Sequence, residues 1–110
     1  MPLINPPVNE FGLSENSMKI ITDIFSKFPS IKKVLVYGSR AMGNFREGSD
    51  IDMTIISDGT FSYDDLLSVA GMFDDSYLPY LVDISDFSKL TNPDLIDYIK
   101  RNGKLIYGSL

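Results

Sequence analysis

Apolar and polar positions along this chain follow two periods, and each change of period marks an element. From Ser14 to Phe28, the residues Met18, Ile21, Ile24, Phe25 and Phe28 recur at the spacing of one helix face, and Pro29 ends the pattern. Lys33-Val34-Leu35-Val36-Tyr37 is a short β-rich run that stops at Gly38, which predicts a strand. The polar stretch from Ser39 to Ser49, with Gly43 and Gly48, predicts a turn or short helix followed by a loop. From Asp50 to Ile56 the period becomes two: Ile51, Met53 and Ile55 share one face, and Asp50, Asp52 and Thr54 the other.

Asp58-Gly59 marks a turn, and Ser62 to Phe73 reads as a helix. Ser62 and Asp65 are spaced as a capping box, and Leu66, Leu67, Ala70 and Phe73 are expected to face inward. Tyr80 to Ser85 is a third strand, with Leu81, Asp83 and Ser85 on one side. A last helix starts with Asn92 as N-cap and Pro93 in the first turn, and ends at Asn102-Gly103. Lys104 to Tyr107 is expected to be a brief apolar tail packing back on the domain. Three strands with helices on one side make a two-layer α/β sandwich. Residues 1–10, opening Met1-Pro2-Leu3-Ile4-Asn5-Pro6-Pro7, read as an extended arm before a domain from residue 11 to residue 110.

Composition narrows the chemistry. At 110 residues and 44% hydrophobic, the chain suits one domain with one core. A formal charge of −5 lacks the basic balance of a nucleic-acid binder, so no direct nucleic-acid binding is expected. Without cysteine or histidine, structural zinc, thiol nucleophiles, disulfides and imidazole acid–base chemistry are excluded. No apolar run approaches the ~20 residues of a membrane helix, and the N-terminus does not resemble a signal peptide. A cytoplasmic location without membrane association is expected.

What remains is carboxylate chemistry. Asp50 and Asp52, two apart on a strand, point the same way with their side chains ~6–7 Å apart along the chain. Such a pair repels itself unless a cation sits between, and all-oxygen ligands favour Mg²⁺ or Mn²⁺. Taken alone, Asp-x-Asp also suits the solvated face of an edge strand. Gly38-Ser39 lies where a strand ends: glycine permits close backbone approach and serine offers a hydroxyl, suited to a phosphate, although Ser39 as an ordinary N-cap is the plainer use. Antiparallel pairing of the first two strands would bring both features together. Asp83, inside the apolar run Leu81-Val82-Asp83-Ile84, is costly to bury bare and is the third candidate; exposure at a strand edge explains it as cheaply.

Gly38-Ser39-Arg40-Ala41-Met42-Gly43 followed by Ser49-Asp50-Ile51-Asp52-Met53 resembles the signature of the DNA polymerase β-like nucleotidyltransferase superfamily: Gly-Ser, ten residues, then Asp-x-Asp. Met42 stands where the pattern usually carries a second basic residue. The resemblance implies a small mixed β-sheet with helices on one face, as in a polymerase palm. It further implies that Gly38, Ser39 and Arg40 bind the nucleotide's phosphates, and that Asp50, Asp52 and Asp83 bind two Mg²⁺ ions, with Asp83 helping to deprotonate the acceptor. For Arg40, a surface arginine contacting nothing is the plainer alternative.

Within that superfamily the chain resembles the minimal nucleotidyltransferases (MNT) of HEPN/MNT pairs. The resemblance implies an antitoxin that takes AMP from ATP to a tyrosine of a helical HEPN toxin. A small-molecule nucleotidyltransferase completed by a helical partner, and a binding antitoxin without catalysis, remain as alternatives.

Overall fold

The computed structural model describes residues 8–109; most of the expected N-terminal arm, residues 1–7, lies outside them. Helix α1 (Glu15–Ser26) begins where Ser14 Oγ accepts from the Ser17 amide at 3.1 Å, satisfying one donor the first turn leaves open. Ile21, Ile24 and Phe25 are buried on its inner face. Strand β1 (Ile31–Tyr37) leads into a single helical turn, α2 (Ser39–Met42), and then strand β2 (Ile51–Ser57). Helix α3 (Tyr63–Asp74) carries the reciprocal Ser62–Asp65 capping box its sequence spelled out. Strand β3 (Val82–Asp86), a 3-10 turn at Phe87–Lys89, helix α4 (Pro93–Asn102) and strand β4 (Lys104–Gly108) complete the order.

The sheet is mixed, in the order β3-β2-β1-β4. β1 runs antiparallel to both β2 and β4, whereas β2 and β3 are parallel. Parallel neighbours need a crossover, and α3 supplies it. Alternation sorts the side chains: Val34, Val36, Ile51, Met53 and Ile55, all fully buried, make the core face with α1 and α3. Phe25 anchors that layer, edge-on to Phe73 and tilted against Tyr107, each with ring centroids 5.5 Å apart. The opposite face carries Leu35, Tyr37, Asp52, Thr54, Asp83 and Ser85. Its Leu35 end is covered by α4, where Gly103 is wedged between Ile99 and Leu35.

Three details depart from expectation. Helix α4 packs on the sheet face opposite α1 and α3, so the helices do not all lie on one side. Residues 104–107 belong to a fourth strand rather than a tail, because pairing with β1 satisfies their backbone groups. In α3, Val69 faces the core and Leu67 is 52% exposed, so the inward stripe runs through Leu66, Val69, Ala70 and Phe73. Ahead of α1, Asn9 closes a tight turn: its Oδ1 accepts from the amides of Phe11 and Leu13, both of whose side chains are buried. No helix among the described residues is long and apolar enough to cross a membrane.

Candidate active site

The register of the sheet assembles the site. Tyr37, the last residue of β1, pairs with Asp52 in β2, and Asp52 in turn pairs with Asp83 in β3. In adjacent strands at matched positions, Asp52 and Asp83 project from one face as neighbours. Asp50 stands two residues before Asp52, exposed at the entrance to β2. The Gly-Ser turn overhangs the middle carboxylate. A Cβ on Gly38 would lie 2.6 Å from Asp52 Oδ2, and Gly38 has φ +77° and ψ −153°, a conformation open to glycine. Glycine is required here twice over.

Gly38, and not Ser39, is the N-cap of α2; Ser39 is its first helical residue. The capping use of Ser39 is therefore corrected, and its Oγ makes no hydrogen bond among the described residues. Arg40 also differs from the surface arginine weighed above. Its side chain is 2% exposed, with Nε and Nη2 donating to Ser49 O at 3.0 and 2.8 Å and Nη1 donating to Phe11 O at 2.9 Å.

Charge around the carboxylates is unbalanced. The ion pairs among the described residues, Lys19–Asp23 and Arg101–Asp97, lie elsewhere, on α1 and α4. Burial first, then Asp83, then Asp50, push the Asp52 carboxyl above its ordinary value. Burial first, then Asp83 and Asp52, likewise raise the Tyr37 phenol, so Tyr37 remains a neutral hydroxyl among acids. Ser85 Oγ donates to Thr54 Oγ1 at 2.9 Å, which fixes the floor of this face. Sequence reasoning assigned Tyr37 to strand β1 and nothing more.

Among the described residues, no group of three carboxylates closes on a single cation position. The donor set still fits a hard divalent ion: oxygen ligands alone, no basic neighbour in an ion pair, and a glycine cradle over Asp52 that any Cβ would fill. A measurable consequence follows for the metal-free protein. A carboxyl whose folded pKa is raised contributes stability below its unfolded pKa, and loses it as pH rises through the folded value. With Asp52 raised, thermal unfolding in a chelator is expected to show this contribution fading as pH climbs above the ordinary carboxylate range. Saturating Mg²⁺ is expected to flatten the decline, because the ion binds the deprotonated form.

A mixed four-stranded sheet with a Gly-Ser turn poised over a carboxylate strand is the architecture of a small nucleotidyltransferase domain. The polymerase β nucleotidyltransferase family matches residues 19–109, and the chain belongs to that family. No curated protein is significantly similar in sequence. Among solved structures, a chain of a toxin–antitoxin crystal structure with AMP-PNP superposes with TM-score 0.68 at 20% identity, covering 84% of this chain and 73% of that one. A chain of the complex between tri-AMPylated Shewanella oneidensis HEPN toxin and MNT antitoxin matches with TM-score 0.64 at 18% identity, covering 86% and 72%. A nucleotidyltransferase-like protein from Sulfolobus solfataricus matches with TM-score 0.54 at 22% identity, covering 84% and 77%. At these identities the likeness is one of fold.

Proposed function

We propose that this chain is a Mg²⁺-dependent nucleotidyltransferase that moves AMP from ATP to a hydroxyl acceptor, a tyrosine of a HEPN-type toxin, and so acts as an antitoxin in the cytoplasm. The observation that carries the transferase reading is the Asp52–Asp83 pairing directly beneath Gly38, in a chain of this family. The antitoxin reading draws its support from the likeness of fold to toxin–antitoxin structures, one holding AMP-PNP and one an AMPylated HEPN toxin.

Asp50, Asp52 and Asp83 would hold the metal, two ions in the full site. Bound Mg²⁺ supplies positive charge against the triphosphate and the departing pyrophosphate. Magnesium characteristically takes one or two carboxylates and draws further ligands from substrate phosphates, so an open carboxylate cluster before nucleotide binding suits this chemistry. The Gly38 turn lets backbone approach the phosphates, and Ser39 Oγ is free to donate to them. Asp83, exposed at the outer strand, accepts the proton of the acceptor hydroxyl as its oxygen attacks the α-phosphorus. The bond to the bridging oxygen breaks in line, and pyrophosphate leaves.

The test is transfer of α-labelled AMP from ATP, with Mg²⁺, to a cognate HEPN-type protein. Label on a tyrosine of that protein supports the proposal. Tight binding of the two chains without label, for any NTP, would replace it with antitoxin action by contact alone. Label on a small-molecule hydroxyl, with none on the protein, would redirect the acceptor assignment.

A further inference from the structure

We propose that Arg40 is a positioning residue of the transfer site, orienting the carboxylate strands from inside the fold rather than touching the nucleotide. The inference rests on the transferase function above and deepens it. The guanidinium meets three separate segments. Its Nε and Nη2 grip one carbonyl, that of Ser49, at 3.0 and 2.8 Å, and its Nη1 reaches Phe11 O at 2.9 Å. Its carbon lies 4.4 Å from the Tyr80 ring centroid and 5.1 Å from that of Phe45.

Arg40 and two of its partners, Ser49 and Tyr80, sit close in sequence to site elements. Arg40 follows Gly38-Ser39, Ser49 immediately precedes Asp50, and Tyr80 comes three residues before Asp83. The last two segments are themselves joined, the Ile51 amide donating to Leu81 O at 2.9 Å. A two-pronged grip on the Ser49 carbonyl fixes the plane of the Ser49–Asp50 peptide, and with it the direction in which Asp50 leaves the chain. The Tyr80 ring sets where β3, and therefore Asp83, begins.

The energetics favour this use. Burying a cation is expensive unless its donors and charge are met. Here carbonyl dipoles and two ring faces meet them, and Arg40 takes part in neither of the ion pairs found among the described residues. The fork is thereby committed inward. A lysine has one nitrogen and no planar fork, so it cannot hold Ser49 O and Phe11 O together while lying flat on Tyr80.

The experiment compares wild type with Arg40→Lys and, in case that variant does not fold, Tyr80→Leu, which removes the ring platform while keeping Arg40 and an apolar side chain against the core. Two quantities are read: steady-state transfer kinetics, and amide hydrogen exchange in the metal-free protein. A positioning role predicts a fall in kcat of about 10²-fold, as for a reacting group misplaced by about 1 Å. KM for the NTP is expected to stay within about threefold of wild type, since ground-state binding is untouched. Exchange is expected to quicken at residues 49–52 and 81–83 while α1 and α3 keep wild-type protection. Tyr80→Leu is expected to give the same pattern more weakly. A raised KM with kcat intact would make Arg40 a phosphate contact and overturn the proposal. So would exchange that quickens uniformly, the mark of a purely structural residue, or no change in either quantity. If the wild type transfers no nucleotide at all, the transferase function falls, and the exchange pattern alone decides for or against positioning.

Discussion

Asp52→Asn is expected to lower nucleotide transfer by about 10³-fold or more, while the metal-free protein becomes more stable to heat, not less. The two effects share one cause. Asp52 is the half-buried member of the carboxylate group, raised by burial and by Asp83 and Asp50. Its negative charge costs the empty fold energy and is worth having only when a cation answers it. Asparagine keeps the shape beneath Gly38, removes the charge, and leaves a much poorer metal ligand. Initial rates of labelled AMP transfer and thermal unfolding in a chelator read the two sides separately. Asp58→Asn gives the contrast. That carboxylate is exposed, and its pKa is lowered by hydrogen bonds from the Thr60 hydroxyl at 2.6 Å and the Thr60 amide at 2.9 Å, so neutralising it is expected to cost stability and leave transfer unchanged. Transfer retained by Asp52→Asn would remove Asp52 from the metal site. A loss of stability in that variant would show that the charge is already balanced within the fold.

Much of this arrangement was legible because it depends on periods and short spacings. Alternation through Ile51-Asp52-Met53 decides which side chains face the core, and antiparallel pairing of a strand ending at Tyr37 with one beginning near Asp50 brings the Gly-Ser turn and the acids to one edge; the register that sets Tyr37 opposite Asp52 is seen only in the fold. The capping residues Ser62 and Asn92 marked two helix starts through local hydrogen bonds. What escaped is non-local. Lys104 to Gly108 is too short for a period to show, and its partner β1 lies some seventy positions earlier in the chain. The phase of α3 turned on whether Leu67 or Val69 packs against α1 and β3, which hydrophobicity alone does not rank. Arg40 is the clearest case. In a polar stretch an arginine reads as solvent-facing, and its burial becomes visible only when Phe11, Ser49, Phe45 and Tyr80 are brought around it. Local signals thus marked the candidate acids, but not the buried arginine packed beside them.

Gly38→Ala is expected to damage both stability and activity, and the comparison with Gly59→Ala separates its two causes. Both glycines have positive φ, +77° at Gly38 and +97° at Gly59, so each alanine carries backbone strain of about 1–3 kcal/mol. For a domain of this size that strain lowers the unfolding midpoint by about 4–8 °C per kcal/mol. The surroundings differ. A Cβ at Gly59 meets nothing within 4 Å, whereas at Gly38 it would sit 2.6 Å from Asp52 Oδ2. Relief at Gly38 requires the carboxylate to swing away from Asp83 or the turn to lift from the strand. On the proposed function, either movement displaces the Asp52 carboxylate or the Gly38 backbone by about an ångström, enough to cost about 10²-fold in rate. Gly59→Ala, in a turn remote from the carboxylates, is therefore expected to lose stability and keep wild-type transfer, while Gly38→Ala loses both. The decisive arm is Gly38→Ala assayed well below its unfolding midpoint. Full activity there would mean that the close approach of Gly38 to Asp52 serves the fold alone, and that the nucleotide's phosphates are held by other backbone.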